Sequence, residues 1–199
     1  MNNYEYIIAS LPVISLDKDS STEIDSDQIL SFIKGQCSKW DKSLIEMLLT
    51  GMEGKEPDYD FYKKAISHKN RFIREYFNFD LLLRNEKVNY LNRELGRPAG
   101  TDIFIKPIIN NETNIEKIRS VFISNDILGR ESKIDSLMWN RISEINTFDL
   151  FNIESILGFI AKLHIVSRWI NLDPESGKKM FLTLLKEIRG TFADIKYEG

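Results

Sequence analysis

Between residues 58 and 95 the chain has neither proline nor glycine, and Gly96 and Pro98 then arrive together. These two residue types interrupt helices most readily, so such a stretch is committed to helix. Tyr59, Tyr62, Ile66, Ile73, Phe77, Leu81, Val88, Leu91 and Leu95 recur at mixed three- and four-residue steps, the spacing of one helical face. Pro57 suits the first turn. A bend near residues 78–80 is expected to divide the stretch into two helices of ordinary length.

Capping signals mark shorter helices on either side. Asp25 or Ser26 is placed to cap a helix carrying Ile29, Leu30, Phe32 and Ile33, with Gly35 near its end. Ser38 is placed to cap a second, carrying Trp40, Leu44, Ile45, Leu48 and Leu49, with Gly51 as its stop. The polar stretch 15–26 ahead of them reads as a loop. After residue 114 the spacing predicts helices over 115–123, capped by Asn114, over 131–145 and over 150–172. Asp173 followed by Pro174 then opens a final helix bearing Met180, Phe181, Leu184, Leu185 and Ile188 before Gly190. The last two helices form an antiparallel hairpin in this reading.

Residues 97–114 carry Pro98, Gly100, Pro107 and paired asparagines around an apolar, β-branched stretch at 103–109. They read as an ordered connection between an N-terminal helical lobe, 1–96, and a C-terminal one, 115–199, with a shared core as an option. The expected fold is an all-α bundle of about six to eight helices in two packed lobes. The alternative is α+β, with one short strand pair formed by 103–109 and residues 4–8.

Several function classes lose support at this level. The single Cys37 cannot form an internal disulfide, and one cysteine with two histidines cannot build an ordinary Cys/His zinc site. A reducing, cytoplasmic setting and a fold without metal or cofactor are expected. The short apolar run near the N-terminus has no basic residues before it and stops at Pro12, which predicts neither a secretion signal nor a membrane span. A net charge of −3 without a basic block argues against general nucleic-acid binding, which draws its affinity from phosphate neutralisation. No P-loop, dinucleotide-binding fingerprint or Gly-x-Ser-x-Gly elbow is present.

The residues able to do chemistry have plain structural readings. His68 lies among Ser67, Lys69, Asn70 and Arg71, as on an exposed helix face, and His164 between Leu163 and Ile165, as a partly buried, hydrogen-bonded side chain. Cys37 reads as a small core residue. Asp80 and Arg84 are four apart and positioned to pair. Asn78, Asn85, Asn89 and Asn92 fall on one stripe of a continuous helix. Asparagine is a mediocre helix former, so such a stripe implies a solvated face, an internal polar seam or a polar docking surface. Seven aromatics between Tyr59 and Phe79 occupy more than one helical face, as in a core that also meets a second layer or a partner.

Three segments carry a resemblance: Asn3-Tyr-Glu-Tyr-Ile-Ile-Ala-Ser-Leu-Pro12, Tyr76-Phe-Asn-Phe-Asp-Leu-Leu-Leu-Arg-Asn-Glu-Lys-Val-Asn-Tyr-Leu-Asn-Arg-Glu-Leu-Gly96 and Ile160-Ala-Lys-Leu-His-Ile-Val-Ser-Arg-Trp-Ile-Asn-Leu172. Together they resemble an uncharacterised bacterial family encoded within V-type ATPase operons of Bacteroidetes and related bacteria. More distantly the chain is similar to the all-helical C (or d) subunit of archaeal and vacuolar-type rotary ATPases, a collar between the membrane rotor ring and the central shaft. This chain is markedly shorter than that three-lobed subunit. The resemblance implies a non-catalytic structural or assembly component of a V-type, proton- or sodium-translocating ATPase, with other ATPase subunits as partners and a place at the inner face of the membrane. Arg84, Asn85, Asn89, Asn92 and Arg93 are the candidate polar contact stripe in that reading. A helical adaptor of another complex is the first alternative. An enzyme is the second, and its mark would be a deep pocket with titratable groups converging on His164, His68 or the Asp80 and Arg84 pair.

Overall fold

The computed structural model describes residues 3–16, 24–52, 58–108, 112–124 and 126–170. Among them are eight helices and no strand: α1 (Tyr4–Ala9), α2 (Ser26–Gln36), α3 (Lys39–Met52), α4 (Tyr59–Ala65), α5 (Arg71–Glu94), α6 (Glu112–Phe122), α7 (Ile127–Ile145) and α8 (Ile153–Ile170). The protein is an all-α bundle.

Side-chain caps explain most of the boundaries. The carboxamide oxygen of Asn3 accepts from the Tyr6 amide at 3.2 Å, Asp25 accepts from Gln28 at 3.0 Å and Asp58 from Phe61 at 2.8 Å. Ser38 opens α3 with a reciprocal pair: its Oγ accepts from the Asp41 amide at 3.2 Å, and Asp41 Oδ2 accepts from the Ser38 amide at 3.2 Å. Each cap satisfies amides that the first turn would otherwise leave open, a contribution of about 1 kcal/mol.

The long proline-free stretch does divide, but not at residues 78–80. The break falls at 66–70, where Asn70 caps α5 by accepting from the Ile73 amide at 3.0 Å. Helix α5 then runs 24 residues without interruption. His68 therefore sits in the turn between α4 and α5, not on a helix face, and its Nδ1 accepts from the Asn70 amide at 3.0 Å. Gly96, at φ +65°, ends α5 in the left-handed conformation that lets the Arg97 amide reach the Asn92 carbonyl at 2.7 Å.

The strand pair is overturned as well. Residues 4–8 lie in α1, held by the Asn3 cap and by the Tyr4 hydroxyl, which donates to Asp41 at 3.0 Å. The 103–107 segment is neither helix nor strand. Helices α6 and α7 each start earlier than spacing indicates, at Glu112 and Ile127, so Asn114 lies inside α6 rather than capping it. The stretch 17–23 of the expected loop and the final helix after Asp173 lie outside the described residues.

The apolar faces meet in one continuous core running from Ile7 through Leu48, Phe72, Phe77, Ile118 and Ile142 to Ile165. Helices from both sides of the 97–114 connection contribute to it. Helix α8, the most apolar, packs against α1, α2, α3, α5 and α7. Gly51 does not stop α3 but lies within it, buried, because a Cβ there would come within 2.3 Å of the Phe77 ring. That close approach lets the Phe77 ring stand edge-on to Phe61 and Tyr76, with centroids 5.0 and 5.1 Å away.

Candidate functional site

The asparagine stripe of α5 is occupied by the chain itself. Asn78, almost fully buried, donates from Nδ2 to the Ile66 carbonyl at 3.1 Å and the Arg74 carbonyl at 2.8 Å, and accepts from the Ile108 amide at 2.7 Å. Asn85 Nδ2 donates to the Ile105 carbonyl at 2.9 Å, Asn89 Oδ1 accepts from the Gly100 amide at 2.9 Å and Asn92 Nδ2 donates to the Thr101 carbonyl at 2.8 Å. Residues 97–108 have no ladder or helix to satisfy their backbone, and the stripe supplies the partners instead. The seven-, four- and three-residue spacing is thus a seam that lays the connection along α5.

Carboxylates inside the bundle are paired across helices. Glu86 of α5, nearly buried, receives Arg119 of α6 through two contacts, the shorter 2.7 Å. Arg141 of α7 reaches Glu75 of α5 at 2.9 Å, and Arg168 of α8 donates to both oxygens of the buried Asp135 on α7. Such pairs fix helix register more than they add stability, since desolvation offsets much of the Coulomb gain.

One cleft, of about 290 Å³, opens between α5, α7 and α8. Tyr76, Asp80, Leu83, Arg84 and Lys87 line it from α5, Glu131, Ile134, Asp135 and Met138 from α7, and His164, Ile165 and Arg168 from α8. Asp80 Oδ2 receives both the Tyr62 hydroxyl and Arg84 Nε, the latter at 2.9 Å, while the Arg84 guanidinium lies over the Tyr62 ring 5.8 Å from its centroid. Burial and then the Asp80 carboxylate push the Tyr62 hydroxyl well above the usual tyrosine range. Burial pulls the Arg84 guanidinium down, but Asp80 and the neighbouring tyrosines hold it above its ordinary value. Tyr76 is buried between this pair and the Asp135 and Arg168 pair, and it too is raised, by burial first and then by Asp80. The Asp80, Arg84 and His164 expected as the mark of a pocket do converge here, whereas His68 does not join them. Among the described residues no group of three His, Cys, Asp or Glu side chains is arranged to hold a metal ion.

A different feature stands at the turn between α7 and α8. Phe148, Leu150 and Phe151 are 92, 69 and 56% exposed, while the polar residues among them face inward. Asp149 pairs with Arg71 and accepts from Asn152 Nδ2 at 2.7 Å, and its carbonyl accepts from Ser155 Oγ at 2.6 Å. Asn152 Oδ1 caps α8 by accepting from the Ser155 amide at 3.0 Å, and Asn146 Nδ2 donates to the Glu154 carbonyl at 3.1 Å. The usual arrangement of a surface turn is reversed, with polar groups consumed and large apolar ones held out.

Of the sequence-derived contact residues, Asn85, Asn89 and Asn92 hold the connection, Arg84 lines the cleft and Arg93 is exposed near the end of α5. Cys37 is buried in the core, and burial, followed by Asp41, pushes its thiol up to about 11. Sequence reasoning missed Asp135, Arg168 and the 148–151 turn. The signal for the turn was available in Phe148-Asp-Leu-Phe151, where large apolar residues alternate into a stretch rich in turn formers.

Fold and site together define an all-α, multi-helix bundle with an inward-facing polar network and an apolar projection at one turn. The chain belongs to the family described as protein of unknown function (DUF2764), whose model matches residues 57–191. No curated protein matches the chain, and no solved structure does. No helix among the described residues is long and apolar enough to cross a membrane.

Proposed function

We propose that this protein is a non-catalytic structural or assembly component of a V-type rotary ATPase, docking on another subunit through the turn at 147–152. The observation that carries the docking is the outward projection of Phe148, Leu150 and Phe151 from one turn. Aromatic anchors dominate binding at protein interfaces, and a turn whose flanking polar groups are already hydrogen-bonded has less backbone freedom to lose on docking. The charges built into the turn, Asp149 paired with Arg71 and Glu154 accepting from Asn70, give no basic belt, so the surface suits an apolar groove on a protein and not an anionic lipid face. The sequence resemblance supplies the choice of complex, in which a collar between rotor ring and central shaft needs a stiff bundle and surface complementarity. Arg84 and Arg93 are exposed and available as further polar contacts.

The test is affinity capture of the tagged full chain from its native cells. Co-purification of ATPase subunits, lost when Phe148, Leu150 and Phe151 are changed together to Ser, supports the proposal. Capture of a different complex through the same turn identifies the adaptor alternative. Capture of ATPase subunits unaffected by the triple change removes the turn from the account.

A further inference from the structure

We infer that the cleft between α5, α7 and α8 is a binding site for a small organic oxyanion, a carboxylate or phosphate monoester carrying an apolar body. Hydrogen-bond accounting sets the chemistry. Arg84 is tethered to Asp80 through Nε alone, leaving its two terminal nitrogens without an acceptor among the described residues. Arg168 holds Asp135 through one terminal nitrogen, leaving Nε and the other terminal nitrogen in the same state. Lys87 makes no ion pair among the described residues, and the hydroxyl of the buried Tyr76 makes no hydrogen bond there. On the acceptor side, Asp135 already takes Arg168 and the Trp169 indole N–H at 2.6 Å, and Asp80 takes Tyr62 and Arg84. Glu131 is the cleft's remaining carboxylate and makes no bond among the described residues, but the unused N–H and O–H groups of Arg84, Arg168, Lys87 and Tyr76 outnumber its two oxygens. Two of these donors are guanidiniums fixed by their carboxylates before any ligand arrives, the arrangement suited to a planar or tetrahedral oxyanion.

The body of the ligand follows from the remaining wall. Arg84, Lys87 and Arg168 are balanced in formal charge by Asp80, Glu131 and Asp135, so no long-range field draws a bare anion in. Leu83, Phe122, Ile134, Met138 and Ile165 supply an apolar side to the cleft, and a volume of about 290 Å³ stands at the small end of small-molecule sites. The site does not use the 147–152 turn and shares only Arg84 with the contacts named above; its test reads binding by the isolated chain, so its failure and that of the ATPase proposal are distinguishable.

Trp169 is a built-in reporter, because its indole N–H bonds the same carboxylate that holds Arg168. The full chain is titrated with inorganic phosphate, hexanoate and hexyl phosphate while the Trp169 indole resonance is followed by NMR. Hexanoate or hexyl phosphate is expected to shift it with an affinity at least tenfold above inorganic phosphate, two buried methylenes being sufficient for roughly that factor. The stronger of the two names the headgroup. Arg84→Gln is expected to weaken binding about tenfold, and Tyr76→Phe and Lys87→Met, which leave both ion pairs intact, about three- to tenfold each. Any one of three results overturns the inference: no shift with any probe; inorganic phosphate binding as well as the organic anions; or unchanged affinity in Tyr76→Phe and Lys87→Met at an unchanged melting temperature.

Discussion

Asn78→Ala tests how the connection is held. Asn78 is 2% exposed and makes three hydrogen bonds among the described residues, of which two cross between segments: one to the Ile66 carbonyl that ends α4, one from the Ile108 amide in the connection. Truncation leaves the buried Ile66 carbonyl without that donor and frees the far end of the connection. At about 1 kcal/mol per bond, with a further penalty for the orphaned group, the loss comes to about 2–4 kcal/mol. For a chain of this size each kcal/mol lowers the melting temperature by about 2–4 °C. Asn78→Asp sharpens the test, since it keeps the acceptor for Ile108 but places a carboxylate against two carbonyl oxygens. Such a buried carboxylate has its folded-state pKa raised above its unfolded value. The variant is therefore most stable near or below about pH 4 and loses stability relative to the parent as pH rises through the folded pKa. Urea unfolding at pH 4 and pH 7, followed by circular dichroism, gives both numbers. A cost below about 1 kcal/mol for Asn78→Ala, or a pH-independent cost for Asn78→Asp, would refute the reasoning.

Gly51→Ala gains helix propensity but drives a Cβ to 2.3 Å from the confined Phe77 ring, so a net loss of about 1–2 kcal/mol is expected in the same denaturation assay, and a gain would contradict the packing described. Ser38→Ala removes the α3 cap and is expected to cost about 1 kcal/mol, with no change in the urea slope. The Cys37 thiol, raised from 9.0 to about 11, holds ~100-fold less thiolate than an unperturbed one at pH 8; alkylation of the folded chain slower than free cysteine by a similar factor is expected, and a rate within threefold would argue that the site is open.

The helices are legible where a cap and a periodic face coincide, as at Asp25 and Ser38, whereas α4 starts at Tyr59 with Asp58 as its cap, so Pro57 precedes the helix and is not in its first turn. The break in the long stretch lies at 66–70 and not at 78–80, because Asn78 and Asp80 continue the helix through side-chain bonds to neighbouring segments. Asn70 directly ahead of Phe72 and Ile73 was the true start signal. The β-branched stretch at 103–109 suggests a strand with residues 4–8 as its partner, yet the Asn3 cap and a contact with Asp41, 37 residues on from Tyr4, decide for helix at 4–8. That second term is tertiary and leaves no local trace. The asparagine stripe was visible from its spacing, but its occupant was not, since backbone groups of residues 97–108 carry no sequence signature. The cleft was half visible. Asp80 and Arg84 are neighbours on one helix, whereas Asp135 and Arg168 lie 33 residues apart on two different helices and only packing unites them.

Hydrogen–deuterium exchange of the chain, free and within the assembly captured from native cells, tests the docking account most directly. Protection gained at residues 147–152 is predicted, where Phe148, Leu150 and Phe151 would leave water. Protection confined to the exposed face of α5 around Arg84 and Arg93, with the turn unchanged, would contradict it.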